Sequence, residues 1–137
     1  MNYPLPEHYI RKVELPHSTI IQRHDGIVEI RCADDFTYDV EHVVENHNIL
    51  KEMAGNGKLL ILSFGQRYTM VTSEARMYVA KGNHESYIAA EAFLIFSLAQ
   101  RMYAQFFVKM SKPVVPANYF SYQDKEQAEK WLKGFGK

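Results

Sequence analysis

The sequence has 137 residues, the length of one ordinary domain. Hydrophobic residues make up 47% of it and charged residues 23%, so the chain can bury a core without disulfides or metals. Lysine plus arginine equals aspartate plus glutamate at 16 each, and the zero net charge argues against duplex nucleic acid as a partner. A near-neutral surface is compatible with self-association.

Targeting and membrane-spanning patterns are not found in the sequence. Residues 1–8 contain two prolines and no apolar core of a signal peptide, so we expect a flexible N-terminus followed by a single domain over residues 9–137. The longest apolar run, residues 88–98, contains Glu91 and is too short to span a membrane. The single cysteine, Cys32, excludes an internal disulfide. These features predict a cytoplasmic protein.

The first predicted elements are three strands. Residues 9–15 form a weak strand, and residues 18–24 and 27–32 form two more on either side of an Asp-Gly turn at 25–26. An Asp-Gly turn between β-branched runs predicts a hairpin in which both turn positions have positive φ. The alternation within residues 27–32 predicts one buried and one partly exposed face.

A helix and a central strand come next. Thr37 is the predicted N-cap of the helix, and residues such as Val40 and Leu50 share its apolar face. The helix ends at residues 55–57, a Gly-Asn-Gly segment that tolerates the left-handed conformation. The continuous apolar run over residues 58–64 predicts a strand that is covered on both faces.

The remaining chain alternates between strands and helices. The predicted elements are a loop over residues 65–72, a helix over 74–81, a buried strand over 88–96, a helix over 98–110, a short strand over 117–120 and a last helix. Ser73, Ser97 and Ser121 are the predicted starts of the three helices. The order β-β-β-α-β-α-β-α-β-α predicts an α/β fold with a mixed sheet, an N-terminal antiparallel hairpin followed by parallel β-α units.

Short motifs distributed along the chain point to a family. They are residues 25–28 of the hairpin, 73–76 and 97–101 at two helix starts, 116–120, Ala128 and Trp131-Leu132. Together they resemble small bacterial uncharacterised proteins with a STAS-like fold, the fold of sulfate-transporter and anti-sigma-factor-antagonist domains. The resemblance covers roughly residues 18–135. It implies one non-catalytic STAS-like domain that binds a regulatory protein partner or a small ligand, often as a homodimer.

Anti-sigma-factor antagonists carry a phosphorylatable serine at the start of the helix that follows a central strand. The resemblance places the matching step at Thr72-Ser73, which makes Ser73 the candidate phosphosite. This sequence reads Val71-Thr72-Ser73-Glu74 and lacks the Asp-Ser-Ser-Gly motif. An ordinary helix cap is therefore the preferred interpretation of Ser73.

The carboxyl ends of the two buried strands predict a binding crevice, because open α/β sheets bind ligands at such ends. Two helix N-termini and nearby arginines would favour an anion such as a phosphate or carboxylate there. The predicted ligand-binding residues are Ser63, Arg67, Tyr68, Thr72, Ser73, Arg76, Ser97 and Arg101. The preferred alternative is that the serines only cap helices and the arginines pair with Glu74 or Glu91.

Neither metal binding nor catalysis is indicated. The histidines are His8, His17, His24, His42, His47 and His84. Their spacing matches no zinc motif, so we expect scattered surface histidines. Ser63 and Ser73 lack a nucleophile-elbow context, and Cys32 has no base nearby in sequence. We therefore predict no catalytic residue, no metal and no cofactor.

The helix over residues 98–110 is apolar on more than one face, which is typical of a buried helix or of an interface helix. We predict that Tyr103, Phe107 and Met110 contribute to a dimer or partner contact. The alternative is a wide core stripe that also receives Trp131 or Phe135.

Two functions remain open from the sequence. The first is a STAS-like regulatory or protein-interaction module, which is the function the resemblance implies. The second is a small-molecule or lipid-binding carrier, because CRAL-TRIO lipid-transfer domains share a related sheet arrangement, although this chain is short for a large lipid cavity. An enzyme would show a cleft with strongly perturbed titratable groups.

Overall fold

The computed structural model describes residues 3–81, 84–111 and 115–136, without the side chains of Ala80, Phe107, Met110 and Ser111. Its strands are β1 (Arg11–Glu14), β2 (Ser18–Gln22), β3 (Ile27–Cys32), β4 (Thr37–Tyr38), β5 (Leu59–Phe64), β6 (Met70–Val71), β7 (Ile88–Ile95) and β8 (Ala117–Ser121). Its helices are α1 (Val40–Ala54), α2 (Ser73–Lys81), α3 (Leu98–Ser111) and α4 (Lys125–Lys133). Within the described ranges, no helix has the length and apolar character needed to cross a membrane.

The main sheet has six strands in the order β1-β2-β3-β5-β7-β8. The pairs β1–β2 and β2–β3 are antiparallel, and the pairs β3–β5, β5–β7 and β7–β8 are parallel. This arrangement confirms the predicted α/β fold with a mixed sheet. The short strands β4 and β6 pair in parallel outside it, and two residues each are too few to carry a periodic signal.

The sheet has a hydrophobic core on each face. One core packs against α1 and contains Ile20, Val28, Ile30, Leu50, Met53, Leu59 and Ile61. The other packs against α4 and contains Ile27, Leu60, Leu62, Phe64, Ala90, Ala92, Leu94 and Leu132. We call these sides the α1 face and the α4 face. Because both faces are covered, β5 and β7 are apolar almost throughout, as parallel strands in α/β proteins are.

The β2–β3 hairpin is confirmed, but its turn differs from the prediction. Only Gly26 has positive φ, at 92°, and Asp25 does not. The Asp25 carboxylate instead accepts the backbone N–H of Ile27 at 3.3 Å, and the N–H of Arg23 donates to the Ile27 carbonyl at 2.9 Å. An aspartate can stabilise a turn through such a side-chain bond without adopting a left-handed conformation itself.

The predicted starts of α1 and α4 are wrong. The N-cap of α1 is Asp39, since Thr37 belongs to β4. Asp39 forms a capping box with His42, whose Nδ1 accepts the Asp39 backbone N–H at 2.9 Å. Before α4, a 3-10 turn (Tyr122–Asp124) follows Ser121, and the Ser121 side chain makes no capping hydrogen bond. Which of several neighbouring polar residues caps a helix depends on the hydrogen bonds that each one makes, and residue spacing alone does not show these bonds.

The expectation of a partly exposed face on β3 is also wrong, because Glu29 is buried on the α4 face. Its carboxylate accepts from Arg23 at 3.0 Å and pairs with Arg31 at 2.7 Å. Arg23 also pairs with Glu129 of α4 at 2.7 Å. This network satisfies a buried charge and joins β3 to α4.

The N-terminal segment contacts the same network. Arg31 donates to the carbonyl of Tyr3 at 2.7 Å and to that of Pro4 at 3.1 Å. The Tyr3 hydroxyl donates to the Tyr122 carbonyl at 2.8 Å. Tyr3 and Pro4 lie within the stretch 1–8 that the sequence predicts to be flexible, and in the structure this segment covers part of the α4 face.

We expect Glu29→Ala to lower the free energy of unfolding by about 3–5 kcal/mol, because it removes the ion-pair partner of the half-buried Arg31 and one of the partners of Arg23. Glu52→Ala is the control, since Glu52 forms an exposed pair with Arg11 at 2.9 Å and should contribute less than about 1 kcal/mol. Urea unfolding at neutral pH measures both. Equal losses in the two variants would contradict the role given to Glu29.

Candidate functional site

A cavity of about 210 Å³ lies on the α1 face, between the sheet and helices α1, α2 and α3. Most of its lining is apolar. The sheet side is formed by Ile30, Cys32, Ser63, Glu91, Phe93 and Ile95, and the helix side by Val43, Asn46, His47, Arg76, Val79, Gln100, Tyr103 and Ala104. An engineered apolar cavity of about 150 Å³ can bind benzene, so this space is large enough for a molecule with one ring.

Glu91 introduces a carboxyl group into this apolar surface. It pairs with Ile61 across the β5–β7 ladder, and this register directs it to the α1 face. The residue is only 5% exposed, and its Oε2 has no hydrogen-bond partner among the described residues. Burial raises the pKa of the Glu91 carboxyl to about 7. Near neutral pH, the group is therefore present in both protonated and ionised forms.

Asn46 of α1 places a second polar group at the cavity. It is 7% exposed, and its Nδ2 donates to Ser18 Oγ at 3.3 Å. Ser18 Oγ also lies 3.1 Å from the Tyr38 hydroxyl and 3.0 Å from His17 Nδ1. The Asn46 Oδ1 has no partner among the described residues. The amide nitrogen is thus held by the network, and the amide oxygen is an available acceptor.

Gln100 holds the loop after β5 against the start of α3. Its Nε2 donates to the carbonyls of Gln66 and Thr69, the latter at 3.3 Å. Gly65 lies directly beside it, and a Cβ at this position would be 3.0 Å from Gln100 Oε1. That distance is shorter than ordinary contacts, so the absence of a side chain at Gly65 allows the loop to close one end of the cavity.

Two of the predicted ligand-binding residues, Ser63 and Arg76, line the cavity. Arg76 donates to Ser73 Oγ at 3.1 Å and to the Val71 carbonyl at 2.6 Å, and its guanidinium lies 4.4 Å from the centre of the Tyr103 ring. It makes these contacts and no ion pair with Glu91, so the alternative of an Arg–Glu91 pair is wrong for this arginine.

The predicted serine caps have different outcomes. Thr72 caps α2, because its Oγ1 accepts the backbone N–H of Ala75 at 3.1 Å, and Ser73 is the first helical residue. Ser97 does cap α3, since its Oγ accepts the N–H of Gln100 at 3.2 Å. The predicted cap at Ser73 is therefore wrong, and the cap at Ser97 is confirmed.

The other predicted site residues do not reach the cavity. Arg67, Tyr68 and Arg101 are exposed, and Arg101 lies over the Tyr119 ring at 5.8 Å. Thr72 and Ser97 serve as helix caps beside the cavity. The structure therefore brings Ser73 and Arg76 into contact near the start of α2 and places Ser63 and Arg76 in one cavity, and the anion crevice stays a prediction.

The expectation of scattered surface histidines is wrong for three of them. His17, His47 and His84 are all buried. His47 Nδ1 and His84 Nδ1 each lie 2.8 Å from the Tyr87 hydroxyl. One hydroxyl hydrogen can be donated to only one ring, so the other imidazole must donate its own N–H to the phenol oxygen.

Both of these imidazoles are neutral at physiological pH. Burial lowers the pKa of His47 to about 3, and it also lowers the pKa of His84. Among the described residues, no group of three or more His, Cys, Asp or Glu side chains is arranged to hold a metal ion. The cluster therefore forms a neutral wall between α1 and the segment before β7.

Of the three predicted interface residues, the structure describes the side chain of Tyr103. Tyr103 faces the cavity, and the side chains of Phe107 and Met110 lie outside the described residues. Among the described side chains of α3, the exposed large apolar ones are Leu98, Met102 and Phe106, at 72%, 61% and 37% exposure. They recur every four residues and form one surface, which we call the α3 stripe.

The alternative, a core stripe of α3 that also receives Trp131 or Phe135, is not what the structure shows. Their rings pack against each other with centroids 4.9 Å apart, and Trp131 contacts Phe120. Trp131 belongs to the core of the α4 face. These side chains therefore do not form a common stripe with α3.

Glu91 and Asn46 are the site residues that the spacing argument missed. Glu91 is the only charged residue in the apolar run 88–98, and such a residue in a buried strand is a signal of function. Asn46 lies between Val43 and Leu50 on the apolar side of α1, where a polar side chain needs a partner.

The sequence matches a family described as "Domain of unknown function (DUF7793)" over residues 21–136. The match covers most of the chain, so the chain belongs to this family. It begins within β2 and includes every residue of the cavity lining. Comparison with curated proteins and with solved structures gives no match.

We expect the buried Glu91 carboxyl to make the protein less stable as pH rises. The folded-state pKa of about 7 lies above the ordinary value of 4.5, so the folded state holds the extra proton between these values. Its contribution to the free energy of unfolding should fall by about 3 kcal/mol from pH 4.5 to pH 8, since each pH unit in this window is worth about 1.4 kcal/mol.

Urea unfolding of wild type and Glu91→Gln at these two pH values measures the effect. The glutamine cannot ionise, so the variant should gain stability relative to wild type as pH rises. Glu74→Gln, at an exposed position of α2, is the control and should show no such gain. An equal pH dependence in wild type and Glu91→Gln would refute the assignment.

Proposed function

We propose that this member of the DUF7793 family is a non-catalytic domain that binds a compact small molecule in the cavity on the α1 face. The observation that carries the proposal is the pair of buried polar atoms, Glu91 Oε2 and Asn46 Oδ1, that line an apolar cavity without a partner in the described chain. A buried polar atom without a hydrogen bond costs stability. A ligand that supplies the missing bonds would remove this cost.

The size of the cavity supports a small ligand over a lipid. Its volume of about 210 Å³ is below the roughly 300–1,000 Å³ of pockets that enclose drug-sized molecules. The space therefore suits one ring or a short branched chain. The carrier function is retained in this form, with a compact molecule in place of a lipid.

The chemistry of the lining supports binding over catalysis. A perturbed carboxyl in a cleft is also what an enzyme would show, but an active site usually combines such a group with an activated nucleophile or a group that stabilises the reacting substrate. Cys32 is the thiol of the lining, and burial raises its pKa to about 11, so little thiolate exists at neutral pH. Arg76 is engaged by its own neighbours.

The fold supports a STAS-like assignment for the domain. An antiparallel β1–β2–β3 unit followed by parallel β-α units is the arrangement that the resemblance implies. The same resemblance supports a regulatory role in a bacterial cytoplasm. In such a role, the bound molecule would be a signal and not a substrate.

The test is a titration with toluene and benzyl alcohol as one-ring probes, followed by amide chemical shifts in NMR spectra. We expect saturable shifts at residues of the lining such as Phe93 and Val79. Ala104→Leu places extra volume in the cavity, because Ala104 lines it and is 6% exposed. This variant should weaken binding roughly tenfold or more, since added side-chain atoms occupy the ligand's space.

Lys109→Leu adds the same side chain at an exposed position of α3 and should leave binding unchanged. Val79→Phe blocks the cavity from α2 and serves if Ala104→Leu fails to fold. Absence of saturable shifts, or equal binding by wild type and a folded cavity-filling variant, would overturn the proposal.

A second function is favoured by the α3 stripe of Leu98, Met102 and Phe106. We propose that the α3 stripe contacts a second copy of this chain. Exposed apolar side chains at intervals of four residues allow two such helices to pack together. The zero net charge of the chain offers little long-range repulsion between copies.

Sedimentation equilibrium tests this contact. We expect a dimer for the wild type and a monomer for Met102→Lys, because a charge would be buried in the interface. Glu41→Lys, at an exposed position of α1, is the control and should remain a dimer. A monomeric wild type at about 100 μM would exclude a stable homodimer, and a stripe-dependent complex with another protein would assign the stripe to a regulatory partner.

A further inference from the structure

The two unpartnered atoms of the cavity have the same hydrogen-bonding character. Asn46 Oδ1 is an acceptor, and Glu91 Oε2 is an acceptor when the carboxyl is ionised. Both residues are more than nine-tenths buried, so water has little access to them. When the carboxyl is ionised, a group that satisfies both atoms is therefore a donor of hydrogen bonds.

The Glu91 carboxyl also has no ion-pair partner among the described residues. The other titratable groups of the lining are Cys32 on β3, Tyr38 on β4, His47 on α1, Arg76 on α2 and Tyr103 on α3. His47 is neutral, and Arg76 is held by the Val71 carbonyl, Ser73 Oγ and the Tyr103 ring. No cation among the described residues pairs with Glu91, although a buried carboxylate is stable only with a partner.

We propose that the ligand of this cavity is a compact apolar molecule that carries a protonated amino group, bound by the Glu91 carboxylate and the Asn46 amide oxygen. This inference rests on the proposed small-molecule function. The ammonium group supplies both the missing donors and the missing positive charge. The apolar walls, which include Ile30 and Phe93, contact the rest of the molecule.

This ligand class differs from the anion that the arginines and helix starts predict from sequence. Arg76 stands at the cavity, but the described group that lacks a partner is negative or neutral. An anion placed against Glu91 would be repelled, whereas an ammonium group would be attracted. The buried carboxyl therefore decides the sign of the ligand's charge.

Benzylamine, benzyl alcohol, toluene and benzoate are matched probes, because they share one ring and differ in the group attached to it. Titration at about pH 8, followed by NMR, gives their dissociation constants. We expect benzylamine to bind roughly tenfold more tightly than toluene, since a charge-assisted bond in a dry site is stronger than a neutral contact. Lowering the pH to 6 should weaken benzylamine binding, because protonation of Glu91 removes the counter-ion.

Glu91→Gln separates charge from shape. In this variant, the ratio of benzylamine affinity to toluene affinity should fall to about one, and benzylamine binding should lose its pH dependence, because the counter-ion is gone. Glu74→Gln, at the exposed start of α2, should change neither probe. Binding of toluene with equally tight binding of benzylamine, or tighter binding of benzoate, would overturn the amine inference and leave the cavity function intact. Failure of all the probes to bind would overturn both.

Discussion

Burial of the Glu91 carboxyl in the parallel β5–β7 pair is the constraint that sets the chemistry of the cavity on the α1 face. The sheet is covered on both faces, and residues 90–92 in the middle of β7 are buried. Glu29 experiences the same burial on the α4 face, but there Arg23 and Arg31 neutralise it. Since the chain can supply partners for one buried carboxylate, the lack of a described partner for the other is a specific property of the α1 face.

The α1 face also combines two buried groups with opposite responses to pH. The raised pKa of Glu91 means that its contribution to stability is lost as pH rises from 4.5 to 7. The lowered pKa of His47 means that its contribution is lost as pH falls from 6.5 to 3. Between these limits the two effects oppose each other. Above pH 7 only the cost of the Glu91 charge remains, and a bound cation would relieve it.

The sequence predicted the fold well because the main strands and helices are long and periodic. Residues 27–32 and 88–96 give clear strand signals, and the β-α order then restricts the topology. The burial of Glu29 could not be predicted from alternation, because it depends on ion pairs with Arg23 and Arg31. Arg23 in turn pairs with Glu129, which lies on a helix distant in sequence. The site was only half predictable. Topology predicts a crevice at the carboxyl ends of β5 and β7. The polarity of the cavity on the α1 face depends instead on which buried side chains find partners in three dimensions.

Helix α3 links the two proposed surfaces of the domain. One side of it contributes Tyr103 and Ala104 to the cavity, and another side carries the exposed α3 stripe. A helix moves largely as a unit, so a ligand that displaces Tyr103 would also shift the stripe. Differential contact with two positions of one element is what allows a ligand at one site to change binding at another. The proposed ligand site and the α3 stripe are thus separated by the width of a single helix.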